Sequence, residues 1–211
     1  DLVMIEVNWI LFVVASLVLI ATPGQDMVLV MSRSVAQGSA AGVVTAAGVS
    51  VGLIGHTLLA TLGLGAVLRA SELLFVLLKL VGAAYLIYVG LQLLRIRPAE
   101  LALSGGAPKS LRRLFIDGAL SNVSNPKIAV FYLAFLPQFV HGRAEHPTLS
   151  IFALGLAFAA LTFLVKAPVG YGAGRLSYWL RTRTRVLAWV YRASGMVLVA
   201  LGLKLAFERR A

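Results

Sequence analysis

The chain has 211 residues, of which 60% are hydrophobic and only 13% charged, and its mean hydropathy is +0.91. Soluble domains hold about half apolar residues, so this composition belongs to the bilayer. Cysteine is absent, which excludes disulfides, thiolate metal ligands and a cysteine nucleophile. The net charge of +11 would suit nucleic acid, but the basic residues gather in short connections. Arg95, Arg97, Lys109, Arg112 and Arg113 fall in one connection, and Arg175, Arg181, Arg183 and Arg185 in another. No aromatic-interleaved basic face accompanies them, and the positive-inside rule accounts for them. Asp1 and Glu6 stand where a signal peptide would carry Lys or Arg, so no cleavable leader is expected.

In chain order, six apolar segments are long enough to span a bilayer, each needing about 20 residues. They run over 7–31, 40–68, 73–95, 111–139, 149–174 and 187–207. Residues 96–110, with Pro98, Ser104-Gly105-Gly106 and Pro108, form a hydrophilic linker at the midpoint. The expected organisation is a first three-helix repeat at 1–95, the linker, and a second repeat at 111–211. An odd number of spans per repeat makes the two halves inverted in topology. The expected fold class is therefore an all-α integral membrane protein of six transmembrane helices. About ten Lys and Arg fall in the odd-numbered connections and about four elsewhere, so the odd connections are expected to be cytoplasmic.

The halves resemble each other weakly. Segment three carries Lys79-x-x-Gly82 and Gly90-Leu91-x-Leu93; segment six carries Arg192-x-x-Gly195 and Gly202-Leu203-x-Leu205. Segments two and five each present a small-residue face with one titratable group. These faces are Gly48, Gly52, His56, Gly63 and Gly155, Ala159, Thr162, Lys166, Gly170, Gly174. Such faces let helices approach closely, within one chain or in a homodimer.

Segments one and four are each interrupted, by Ala21-Thr22-Pro23-Gly24-Gln25-Asp26 and by Ser121-Asn122-Val123-Ser124-Asn125-Pro126-Lys127. Proline cannot donate to the preceding turn and glycine relaxes the backbone. The freed groups must be buried in protein or line a cavity, and matched breaks in two halves point to a transport site. An ionisable group inside a span costs about 2.5–3.5 kcal/mol at the helix centre, which singles out Asp26, His56, Lys79, Asp117, Lys127 and Lys166. Asp26 either holds a substrate ammonium, carries a coupling proton or caps the resumed helix. Lys127 pairs with a substrate carboxylate or with Asp26, or else snorkels to the interface. Asp117 reads as an interfacial carboxylate or a proton carrier, and His56 as hydrogen-bonded core or a proton relay. Lys79 and Lys166 either snorkel or pair with Asp26 or Asp117.

His141, Glu145 and His146 share a connection and could hold a metal, although solvated loop histidines are common. No HExxH, GxSxG, P-loop or GxGxxG signature is present. A polytopic enzyme and an uncoupled channel remain the rival readings to a transporter, and no cofactor is expected.

The chain resembles the LysE/RhtB family of bacterial amino-acid exporters along nearly its whole length. The resemblance is carried by Ala21 to Asp26 with Ser32-Arg33-Ser34 and Gly38, by Gly48, Gly52 and His56, and by Lys79 to Leu86 with Tyr88 and Gly90. Its most specific stretch is Asn122, Asn125-Pro126-Lys127 and Phe135-Leu136-Pro137-Gln138-Phe139. The family usually has Pro-Gly-Pro at the first break, and here Gln25 takes the third position. The resemblance implies ion-driven efflux of amino acids or related metabolites across a bacterial inner membrane, nearer the homoserine, threonine and neutral amino-acid branch. The implied partners are an amino-acid substrate, a coupling ion (a proton by preference) and the lipid bilayer, without nucleic acid. The residues expected to bind or couple are Pro23, Gly24, Gln25, Asp26, His56, Asn122, Asn125, Pro126 and Lys127, with Asp117, Lys79 and Lys166 as relay or ion-pair candidates.

Overall fold

In the computed structural model, residues 7–22, 24–70, 72–95, 108–140, 146–173 and 184–207 are described. Pro23, the linker over 96–107, His141, Glu145 and Gly174 lie outside them, as do the side chains of Lys79, Pro126 and Lys127. Among the described residues the secondary structure is helical, apart from an isolated bridge between Val7 and Val140. The helices are α1 (Trp9–Ala21), α2 (Gln25–Gln37), α3 (Ser39–Ala70), α4 (Glu72–Arg95), α5 (Leu111–Val123), α6 (Pro126–Phe135), α7 (Pro147–Tyr171) and α8 (Thr184–Phe207). A 3₁₀ turn, Leu136–Phe139, continues α6.

Residues Ser39–Gly63 of α3 and the whole of α7 are each apolar and long enough to cross a membrane. The pair α1 and α2, bent by 54° at its break, passes as one broken span. Two or three spans are thus evident among the described residues, against the six expected. The half-helices α5 and α6 are too short to qualify singly, at 13 and 10 residues.

The first segment runs further than its apolar pattern suggests, because α2 continues through Ser32-Arg33-Ser34 to Gln37. Its polar end is held by tertiary contacts: the buried Ser34 hydroxyl donates to the Gly170 carbonyl of α7. Gly38 ends the helix with φ at +91°, a conformation that disfavours any side chain. The second break is narrower than its motif, since only Ser124 and Asn125 leave the helix. Pro126 opens α6 at the first helical position, where a missing N–H costs nothing.

Glycine sets the helix spacing. A Cβ on Gly90 would sit 2.7 Å from the Gly195 carbonyl, and one on Gly195 would sit 2.7 Å from the Gly90 carbonyl. Gly202 approaches the Ala83 carbonyl in the same way, so α4 and α8 run antiparallel. Gly42 against Gly170 and Gly155 against Thr57 bring α3 and α7 together, also antiparallel. Gly48 and Gly52 meet α5 at Phe115, Ala119 and Asn122. The described glycines of these faces are therefore filled within the chain, apart from Gly63, which has nothing within 4 Å among the described residues.

Among the described residues, Lys109 and Arg113 gather around Asp117 at one end of the bundle. Gln37 and Lys109 exchange two hydrogen bonds, Gln37 Nε2 to Lys109 O at 2.8 Å and Lys109 N to Gln37 Oε1 at 3.0 Å. Ser39 donates to the Tyr171 carbonyl beside them. At the opposite end Asn8 N donates to Phe139 O at 3.1 Å. From that end an aromatic column, Phe12, Phe139, Phe135 and Phe131, with centroids 4.2–5.4 Å apart, descends into the core and reaches Phe158.

Candidate functional site

The two breaks meet. Asp26 stands in the first turn of α2, where the helix dipole favours a carboxylate, and it is 5% exposed. Gly24, which precedes that helix, offers no side-chain cap, so the first N–H groups of α2 have no partner within the helix. From the second break, Asn122 Nδ2 donates to Asp26 Oδ2 at 2.8 Å. Gln25 Nε2 donates to Ser121 Oγ at 3.3 Å. A proline at position 25 could make no such bond, so Gln25 contributes a second tie between the breaks.

Among the described side chains, the cation beside Asp26 is Lys166 of α7. Its Nζ lies 3.4 Å from Asp26 Oδ2, and the residue is 7% exposed. Lys166 thus pairs inward rather than snorkelling, because it shares the buried face of α7 with Gly155, Ala159, Thr162 and Gly170. Removing one partner of such a pair leaves a buried charge and costs about 3–5 kcal/mol.

His56 is buried on α3, its Nε2 3.0 Å from the Asn122 main-chain carbonyl. A carbonyl only accepts, so Nε2 carries the proton. The same carbonyl accepts from Asn125 N at 2.9 Å. Asn125 then starts α6, its own carbonyl accepting from Ile128 and Ala129. His56 therefore braces the second break and stands off the cavity wall. Asn122 links it to Asp26, backbone on one side and amide on the other.

Between the breaks lies a cavity of about 50 Å³. A water needs roughly 10–15 Å³ on the same measure, so the space takes a few waters or the head of a small molecule. Its polar wall is Thr22, Gly24, Gln25, Asp26, Asn125, Thr162 and Lys166. Its apolar wall includes Leu19, Ile20, Leu53, Ile128, Phe131 and Phe158. Asp26 Oδ1 and Thr162 Oγ1, on two of these lining residues, are buried without a hydrogen-bond partner among the described residues. Buried polar groups are almost always satisfied, and orphans call for an explanation.

Asp117 does not join the site. It pairs with Lys109 and with Arg113, the latter at 3.0 Å, at the basic end of the bundle. Lys127 is placed by its backbone in the first turn of α6, and Lys79 by its backbone in α4. His146 precedes α7 as its N-cap residue. Thr162 escaped notice as a site residue, though its spacing of four from Lys166 marks the same face. The apolar wall carries no sequence signal, since these residues read as ordinary membrane core.

Apolar helices long enough to cross a membrane, with two helix breaks meeting at a small cavity, belong to a multi-pass membrane protein. The chain matches the LysE type translocator family over residues 17–209 and belongs to that family. It is 32% identical over 200 residues to an uncharacterized membrane protein of Pseudomonas aeruginosa, covering 92% of this chain and 93% of that one. It is 31% identical over 204 residues to the homoserine/homoserine lactone efflux protein of Salmonella typhimurium, covering 96% and 98%. An uncharacterized membrane protein of Vibrio cholerae is 27% identical over 198 residues, covering 94% and 96%. No solved structure matches the chain. Family and relatives point to a transporter rather than an enzyme.

Proposed function

We propose that this protein exports small amino acids and related amines across the bacterial cytoplasmic membrane by proton-coupled antiport. The observation that carries the reading is the Asp26 carboxylate held between two helix breaks on the wall of a small cavity, with Oδ1 unpartnered among the described residues. Asp26 takes the substrate ammonium. The free N–H groups at the start of α2 and Lys127 in the first turn of α6 take a carboxylate where the substrate has one. A relative named for both homoserine and homoserine lactone supports this division. The two molecules share an ammonium, and only homoserine has a carboxylate. The apolar wall of Leu53, Phe131 and Phe158 suits a short uncharged side chain.

The architecture we assign is six spans in two inverted repeats, with the odd connections cytoplasmic. Supporting it, α1 and α5 are both 13 residues long and both end at a break. The antiparallel contacts of Gly90 with Gly195 and of Gly202 with Ala83 are those that a two-fold relation between α4 and α8 requires.

The test is exchange of radiolabelled homoserine and threonine in proteoliposomes. Wild-type protein is expected to exchange them and Asp26→Asn to lose at least tenfold in rate. Wild-type exchange by Asp26→Asn would falsify the assignment.

A further inference from the structure

We infer that Lys166 is a tethered stand-in for the substrate ammonium and the carrier of the coupling proton. The inference rests on the exporter reading and goes beyond it. Asp26 Oδ2 already receives two donors, the Asn122 amide at 2.8 Å and the Lys166 ammonium at the longer distance of 3.4 Å. The amide is fixed by the break it belongs to, because the Asn122 carbonyl is held by both His56 and Asn125 N. Lys166 hangs on a flexible four-carbon stem from a different helix. It is the donor that can leave, and it has the same charge and donor type as an amino acid's ammonium.

Both members of the pair line the cavity, so a substrate entering it reaches Asp26 where Lys166 does. The site cannot comfortably hold two ammonium groups on one carboxylate. Among the described side chains, Asp26 of α2 is the charged group facing Lys166. The contributions of α1, α3 and α6 to the cavity are Leu19, Ile20, Leu53, Ile128 and Phe131, and His56 of α3 is turned to the Asn122 carbonyl.

An ammonium displaced from Asp26 into these surroundings has lost both water and counter-charge, and giving up its proton relieves the burden. The cycle then balances. Substrate ammonium takes Asp26, and Lys166 Nζ passes one proton to water on the side from which substrate came. After substrate leaves on the other side, Nζ takes one proton from water there and returns to Asp26. One proton enters for each substrate exported, and an uncompensated buried carboxylate never has to cross.

Two measurements on the purified full-length protein test this. In weakly buffered detergent solution with a pH-indicating dye, saturating homoserine should release about one proton per wild-type protein and none from Lys166→Met. Absence of release from wild-type protein that binds homoserine would overturn the inference. In proteoliposomes, an imposed pH gradient should raise homoserine accumulation by wild-type protein at least tenfold and leave that by Lys166→Met unchanged, whatever exchange rate the variant retains. Lys166→Arg stays charged and should likewise show no response to the gradient. Gradient-driven accumulation by Lys166→Met at the wild-type level would overturn the inference. Failure of the wild-type protein to exchange any amino acid would fell the exporter reading first, and this inference with it.

Discussion

Asn122 reaches from the second break to the first, its amide nitrogen 2.8 Å from Asp26 Oδ2. Residues 96 positions apart in the chain thereby share one buried carboxylate. The bond fixes the orientation of Asp26, whose other oxygen is buried without a partner among the described residues. A hydrogen bond to a charged group contributes about 1.5–3 kcal/mol, so Asn122→Ala should weaken apparent substrate affinity about 10- to 100-fold. Concentration-dependent exchange in proteoliposomes measures this, and unchanged affinity would remove Asn122 from the site.

His56 is expected to act through Asn122. Its Nε2–H donates to a backbone carbonyl, and a glutamine amide can do the same. His56→Gln should therefore keep gradient-driven transport within about threefold, with an unshifted pH profile, whereas His56→Leu should lose it tenfold or more. A pH profile that flattens in His56→Gln would instead make the imidazole a proton carrier.

Thr162 offers a cleaner separation of binding from folding. The residue lines the cavity, and its hydroxyl is buried without a hydrogen-bond partner among the described residues. Thr162→Val keeps the shape and removes the orphan, so thermal stability in detergent should hold or rise by up to about 1 kcal/mol. Apparent affinity for homoserine should fall about 2- to 10-fold, the worth of one hydrogen bond. A marked loss of stability would show that the hydroxyl has a structural partner.

Glycine positions should divide by what faces them. Gly90→Ala forces a Cβ to within 2.7 Å of the Gly195 backbone, and neither glycine lines the cavity. It should cost about 1–3 kcal/mol by overpacking, seen as a lower melting temperature with substrate affinity intact. Gly63→Ala meets nothing within 4 Å and should be neutral or stabilising by up to about 1 kcal/mol, through helix propensity. Equal effects at the two sites would argue against the observed α4–α8 crossing.

Much of this arrangement is legible in the chain. Pro23-Gly24 and Asn125-Pro126 break their helices for local covalent reasons, so both breaks can be read without neighbours. Lys166 and His56 stand out because a titratable group inside an apolar run is costly wherever the helix goes. Their partners are another matter. From the sequence Lys166 reads equally as snorkelling or as a partner of Asp26 or of Asp117, and the structure sets its ammonium beside Asp26. Asp117 lies in the same segment as Asn122 but turns to Lys109 and Arg113.

The sequence by itself determined the helical membrane class, the two breaks, the glycine faces and the translocator family. These depend on composition, on period and on the local chemistry of proline, glycine and asparagine. The tertiary structure alone decided which carboxylate meets which cation, which face of each helix lines the cavity and which polar atoms remain unsatisfied. Helix rotation and crossing depend on contacts between residues distant in sequence, such as Gly42 with Gly170 and Gly90 with Gly195. No periodicity within a uniformly apolar helix encodes its own partner. The cavity exists because α7 crosses α2 with Lys166 turned inward, and that placement is a property of the whole bundle.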